Sequence, residues 1–281
     1  MVERKGLRKI FSHLVLIFGV ALVVTPIYVA LVASTHDASD LLGRLPLWFG
    51  SHGSDNYSAI LGTRLQEMGI ASVGRQMFNS LVMAMGITVG KIIISLMAAY
   101  AIVFFRFPFR NLCFWMIFLT LMLPVEVRIV PTYEVVANLN MLDSYWGLTI
   151  PLIASATATF LFRQFFMTIP EELADAARID GAGPVRFFFD VVLPLSRTNI
   201  AALFVILFIY GWNQYLWPLL VTTDENMYTV VMGRQRLVAV VDTEPEWNLI
   251  MATAVLAMLP PVAVVVGMQR LFVKGLVETE K

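Results

Sequence analysis

Of the 281 residues, 58% are hydrophobic and only 14% charged, and the mean hydropathy is +0.76. That balance lies outside the range of soluble globular domains and places the chain in a membrane. A formal net charge of zero argues against a nucleic-acid surface, since the longest basic block is Arg4, Lys5, Arg8 and Lys9. The one cysteine, Cys113, can close no bridge within the chain and suggests no redox chemistry.

A crossing of the hydrocarbon core, about 30 Å thick, takes roughly 17 to 25 mainly apolar residues. Six stretches qualify: 12–33, 78–104, 112–132, 145–162, 199–220 and 248–269. Such runs are too long for barrel strands, and in lipid only helices or closed barrels satisfy the backbone. The expected fold is therefore an all-α integral membrane protein of about six transmembrane helices, a single domain over residues 1–281 without internal repeats. Thirteen of the twenty Lys and Arg residues fall in the N-terminus, the turn after the second span, the island after the fourth and the C-terminus, against six in the alternate loops. Positive residues are retained on the cytoplasmic side, so both termini and the island are expected there.

The first span follows basic residues as a signal peptide would. Its run of about twenty apolar residues exceeds the 7–15 of a signal h-region, so a retained anchor is expected. Residues 34–77, like 221–247 later, suit short ordered segments resting on the outer membrane surface. In the second span Gly86 and Gly90 have the GxxxG spacing that allows another helix to approach closely. Lys91, beside them, is the only ionisable residue deep in a span. A charge there is costly, and it either faces inward to meet an anionic solute or snorkels to a helix end. Glu126 and Arg128, at the outer end of the third span, do not share a helix face. The Arg128 guanidinium fork suits phosphate oxygens, with an interfacial anchor or an ion pair with a partner as alternatives. Prolines at 26, 124, 131, 151, 218, 260 and 261 either kink helices around a cavity or mark their ends.

The polar island, about 163–198, separates the fourth and fifth spans. Thr168 and Glu171 have capping-box spacing, with Pro170 fit for the first turn. Gly181 can close a helix in the left-handed conformation, and Gly183-Pro184 blocks continuation. A helix of roughly eleven to thirteen residues, 16 to 20 Å long, is predicted. Leu173, Ala176, Ala177 and Asp180 would share one face, with Glu171, Glu172, Asp175 and Arg178 on the other. A thin helix with a charged edge suits insertion into a groove on another protein, and a plain amphipathic surface helix would show the same pattern. A second short helix is expected from Pro184 to Val192, ended by Pro194. Asn213, Gln214 and Tyr215 then interrupt the fifth span with hydrogen-bonding groups fit either to line a path or to pack and gate.

Asp175-Ala176-Ala177, three residues, Gly181, nine residues and Val191-Val192-Leu193-Pro194 resemble the EAA loop of permease subunits in bacterial binding-protein-dependent ABC importers. Both spacings of that pattern are kept, with Asp175 in place of Glu and Val191 in place of Ile. The likeness extends to Met122-Leu123-Pro124, Pro131-Thr132-Tyr133, Phe162-Arg163-Gln164-Phe165-Phe166, Ile169-Pro170-Glu171-Glu172-Leu173, Trp212 to Leu219 and Gln269-Arg270, which look like the sugar-importing, maltose-type branch. Within that branch the pattern is most similar to the glycerol-3-phosphate importers. The resemblance implies a coupling helix that docks on an ATPase, with Glu172, Asp175, Ala176, Ala177, Arg178, Gly181 and Pro194 at the joint. It also implies a homologous second permease subunit, a dimer of ATP-binding subunits and a periplasmic solute-binding protein as partners, in the bacterial inner membrane. The implied solute is sn-glycerol-3-phosphate and its glycerophosphodiesters, with a maltose-like sugar as the alternative. The segment after Gly275-Leu276 is shorter and more acidic than that branch leads one to expect, so its insertion between ATPases is not expected.

No Walker A loop is present, since Gly86 to Lys91 has the wrong spacing and lies in an apolar helix. No cofactor is therefore expected on this chain, ATP and Mg being held by the partner ATPases. His13, His36 and His52 lie apart from any partner at metal-ligand spacing, and no Gly-x-Ser-x-Gly elbow occurs. An enzyme in the membrane would need convergent catalytic groups, and a gradient-driven transporter would ordinarily need buried carboxylates or broken helices. The expectation is a translocation subunit that catalyses no reaction itself.

Overall fold

The structure, a computed structural model, describes residues 4–43, 46–62, 71–120, 125–238 and 245–278, and the described residues form helices and connecting turns without a strand. Among the described residues, three apolar helices are long enough to span a bilayer: Lys9–Ala33 within α1 (Arg4–Ala33), α3 (Val73–Phe104), and Trp247–Gln269 within α13 (Trp247–Glu278). Two bent helix pairs are apolar enough to make further crossings if each pair is one span. Tyr145–Leu152, holding α6 (Tyr145–Thr149), meets α7 (Ala156–Phe166) at 48°. Pro184–Leu195 meets α11 (Arg197–Trp212) at 71°.

The third and fifth predicted spans differ from expectation. α4 (Arg110–Leu119) has ten residues, about 15 Å of helix, too short to cross alone. Residues 121–124, including Met122-Leu123-Pro124, lie outside the described residues, and α5 (Val125–Asn138) follows with Pro131 inside it. The fifth span, expected at 199–220, ends at Trp212, and α12 (Leu216–Val221) is a separate helix. Asn213 to Tyr215, expected as polar groups within a continuous span, form that break. Pro26, Pro260 and Pro261, like Pro131, lie inside helices and do not mark their ends.

The chain clusters into two compact units, Met1–Arg75 with Gly233–Leu259, and Gln76–Met232 with Pro260–Lys281. In the first, α1 exposes apolar side chains along most of its length, as a helix bathed in lipid does. The chain beyond α1 folds back on its end, where backbone carbonyls lack partners within the helix. α2 (Gly53–Leu61) carries Asn56, whose Nδ2 donates to the carbonyls of Ser34 (2.9 Å) and His36 (2.7 Å), while its Oδ1 accepts from Asn248 (2.8 Å).

In the second unit α3 touches two apolar clusters. Met83 and Ile87 pack with Val136, Leu148, Trp217 and Val221 toward its amino end. Ile92, Leu96 and Ala99 pack with Phe162, Phe166, Phe187, Leu203 and Leu207 toward its carboxyl end. Small residues make these approaches possible. A Cβ on Gly86 or Gly90 would lie 2.8 Å and 2.6 Å from the Cγ2 atoms of Thr149 and Ile153, and one on Gly211 would lie 2.9 Å from the Cα of Ala84. The GxxxG spacing therefore serves a close contact, as expected.

The amino end of α3 is pinned by polar groups. Asn79 donates to the carbonyls of Asn226 (2.7 Å) and Tyr228 (3.0 Å) and accepts from the Tyr145 hydroxyl (2.7 Å). Nearby, Asp143 adopts a φ of 51° and its carboxylate accepts from the Thr223 amide (2.6 Å), the Thr223 hydroxyl (2.6 Å) and the Asp224 amide (2.8 Å). Partial burial pushes this carboxyl upward and is the largest single influence. The bonds from the Asp224 amide, the Thr223 hydroxyl and the Thr223 amide outweigh it together and hold the group below the ordinary carboxylate range.

Two outcomes follow from these contacts. Gly147→Ala places a Cβ against the Met141 carbonyl, beside the bond that Trp217 Nε1 makes to Gly147 O. It should lower stability by about 1–3 kcal/mol, whereas Gly19→Ala, with open space around it, should not; thermal unfolding in detergent compares them. A depressed folded-state carboxyl stabilises above its unfolded pKa of about 3.9 and loses that contribution as pH falls through the folded value. Stability should therefore decline below about pH 4 in the wild type, and Asp143→Asn should be less stable at neutral pH with a shallower acid limb, checked by melting temperature against pH.

Candidate functional site

The polar handle begins at α8 (Glu171–Ile179), nine residues and about 14 Å long, shorter than predicted. The expected capping box does not form. Thr168 Oγ1 donates backward to the Phe165 carbonyl (2.7 Å), and Pro170 is the N-cap residue, its carbonyl accepting from Leu173 N at 3.2 Å. An extended ψ of 138° at Pro170 starts the helix one residue later than its ring alone suggested. Glu171 and Glu172 in the first turn still complement the helix dipole.

The carboxyl end meets the prediction in detail. Gly181 has φ +73°, its amide bonds to Arg178 O (3.0 Å), and the Ala182 amide bonds to Ala177 O (2.8 Å). This pair of bonds is a Schellman motif, which closes a helix with a left-handed residue. Of the residues predicted to share one face, only Ala177 is turned inward. Ala174 and Ala177 are half-buried against the cluster around Phe166 and Phe187, while Leu173, Ala176 and Asp180 are exposed. Their 3-residue spacing is a helical face in itself, displaced by one position from the predicted one. Glu172, Asp175 and Arg178 project outward, with Arg178 and Asp175 paired at 2.7 Å, and Ile179 is 86% exposed.

After α8 the chain runs as α9 (Pro184–Phe187), a π-turn (Phe188–Val192) and α10 (Leu193–Leu195). Pro194 does not end this segment as predicted. Proline supplies no amide for an i→i−4 bond, and the wider π-turn before it accommodates the loss. The bend falls at the buried Ser196, whose hydroxyl donates to Val192 O (2.6 Å). The handle is joined to α3 directly. Tyr100 donates to Pro184 O (2.7 Å), and its ring lies 5.0 Å from Phe188 and 5.2 Å from Phe104, centroid to centroid.

Nine residues up α3 from Tyr100, about 14 Å by helix rise, Lys91 is buried at 7% exposure. Its Nζ lies 3.9 Å from the centroid of the Tyr210 ring. A ring face attracts a cation, so Lys91 is held inside the unit and does not snorkel to a helix end. Gln214 Nε2 donates to Tyr210 O (3.2 Å), so Lys91 and Gln214 converge on one residue. Arg128 is exposed yet within electrostatic range of Lys91. Among the described residues, no carboxylate pairs with either cation. Asn213 is exposed and Tyr215 half-buried at the start of α12. Tyr210 was missed in the sequence, although it sits one helical turn before Gln214. Glu126 has its side chain outside the described residues.

The described residues thus form an apolar, helical membrane protein with bent helix pairs and a polar handle. Residues 91–278 match the family described as binding-protein-dependent transport system inner membrane component, and the chain belongs to it. Its relatives are more particular. It is 57% identical over 282 residues to the "sn-glycerol-3-phosphate transport system permease protein UgpE" of Rhizobium meliloti (strain 1021), covering 100% of both chains. Proteins of the same name in Brucella melitensis biotype 1 (59% over 284 residues) and Yersinia enterocolitica serotype O:8 (58% over 283) are also matched over 100% of each chain. A bacterial ABC transporter involved in the import of the acidic polysaccharide alginate shares the fold, with a TM-score of 0.82 at 18% identity over 96% of this chain and 98% of that one.

The left-handed glycine sets a measurable cost. Gly181→Ala should reduce thermal stability by about 1 kcal/mol through backbone strain alone, because no atom approaches its Cβ within 4 Å; unfolding in detergent tests this, and no change would show that the handle relaxes around it.

Proposed function

We propose that this chain is one of two permease subunits of an ATP-driven, binding-protein-dependent importer of sn-glycerol-3-phosphate and glycerophosphodiesters. The observation that carries the solute is the full-length identity of 57% to 59% with permeases so named. The buried Lys91, with Arg128 in electrostatic range, supports it, because a phosphate ester is anionic and a neutral sugar would leave that charge uncompensated. Two cytoplasmic ATPases, which hold ATP and Mg, dock on α8, and an external binding protein delivers the solute. The distribution of Lys and Arg supports a cytoplasmic handle and cytoplasmic termini.

Coupling runs through packed contacts. Movement of α8 reaches α3 through Ala174, Ala177 and the aromatic group around Tyr100, and α3 carries Lys91. Glu172, Asp175, Ala176 and Arg178 form the face offered to the ATPase, while Ala177, Gly181 and Pro194 shape the handle behind it. Asn213, Gln214 and Tyr215 line the break at the other end of α11.

Uptake of labelled glycerol-3-phosphate and maltose into proteoliposomes holding the complete transporter and trapped ATP tests both parts. Glycerol-3-phosphate should enter only with ATP, and Lys91→Gln should lower its uptake about tenfold or more, as loss of a charged hydrogen bond does. Gly181→Trp should abolish uptake while Gly181→Ala retains it, because the space beside Gly181 is open in this chain and a large side chain there obstructs only a partner. Uptake without ATP, or maltose uptake at the same rate, would overturn the reading.

A further inference from the structure

A cavity of about 450 Å³ lies between α8, the carboxyl end of α3, the start of α4 and the end of α7. Arg106, Arg110, Arg163 and Arg178 contribute to its wall, opposed by Glu171 and Asp175. Asp175 and Arg178 are paired with each other at 2.7 Å at the exposed rim, which leaves Arg106, Arg110 and Arg163 facing one carboxylate, Glu171. The Arg163 guanidinium rests on the Phe114 ring, 4.1 Å from its centroid, and its buried Nε has no hydrogen-bond partner among the described residues. Stacking on Phe114 holds the guanidinium plane at the cavity wall, where its terminal nitrogens offer a planar fork to a ligand. The remaining wall is apolar, including Ile102, Val103 and Phe166.

Its place just beyond the end of an apolar helix narrows the ligand. Arg106 and Arg110 follow immediately on the apolar helix Val73–Phe104, at the level where a span emerges among lipid phosphates. Basic pockets between transmembrane helices at that level suit anionic head groups. We infer that this cavity binds the phosphate of an anionic phospholipid, with Arg163 and Arg110 as its principal contacts. The occupied site would brace α8 against α3 and α7, making the handle's position responsive to the charge of the surrounding leaflet. This inference does not depend on the transported solute.

The test uses the complete transporter in nanodiscs of phosphatidylcholine, with and without phosphatidylglycerol, followed by native mass spectrometry of the released complex. Phosphatidylglycerol should be retained preferentially, and Arg163→Gln with Arg110→Gln should weaken retention by about tenfold. Arg163→Lys keeps the charge, removes the planar fork and serves should the double variant fail to assemble; it should weaken retention to a smaller extent. Equal retention of the two lipids by the wild type, or equal phosphatidylglycerol retention by wild type and the assembled variants, would overturn the site. Displacement of phosphatidylglycerol by millimolar inorganic phosphate would assign the pocket to a soluble anion and overturn the lipid as its occupant.

Discussion

Close backbone approach at α3 is the constraint on which the rest of the larger unit depends. With no hydrophobic drive between helices in lipid, association rests on van der Waals contact, and side chains on either partner would hold the backbones apart. Gly86 and Gly90 accept Thr149 and Ile153, and Gly211 admits Ala84. Those three contacts fix the bent Tyr145–Leu152 segment and α11 against one helix. Lys91 lies seven residues, about two turns, after Ala84 and so on the face that Gly211 admits, which brings it under the Tyr210 ring of the other helix.

The breaks in the crossings obey a second rule, that backbone groups away from water must be satisfied. Between Leu152 and Ala156, Ser155 Oγ accepts from Ala158 N (3.2 Å) and Ser95 donates to Ser155 O (3.2 Å). At the 71° bend, Ser196 bonds backward to Val192 and its carbonyl accepts from Ile200 N (2.8 Å). A serine at each of these two bends supplies a partner that an uninterrupted helix would provide.

Much of this could be read from spacing. The glycine pair at 86 and 90, the left-handed Gly181 and the polar interruption at 213–215 each impose a local conformation that tertiary packing did not override. Other features depend on where the neighbours lie. Thr168 and Glu171 have capping-box spacing, but Thr168 is also within reach of the preceding turn and bonds there. The inward alanines of α8 are Ala174 and Ala177, a choice made by the position of Phe166 and Phe187 on the helices before and after it. Tyr210 carried no sign of its role because a tyrosine in an apolar span reads as packing until a cation is found over its ring.

The π-turn ahead of Pro194 has a geometric consequence. A π-turn holds one residue more than an α-turn, and in an α-helix each residue advances the side chains by roughly 100° around the axis. The surplus residue between Phe188 and Val192 therefore sets the angular phase between the handle and α11. Chain length in this stretch is therefore a mechanical quantity: a one-residue deletion would leave every contact partner chemically intact and still aim α11 at the wrong neighbours.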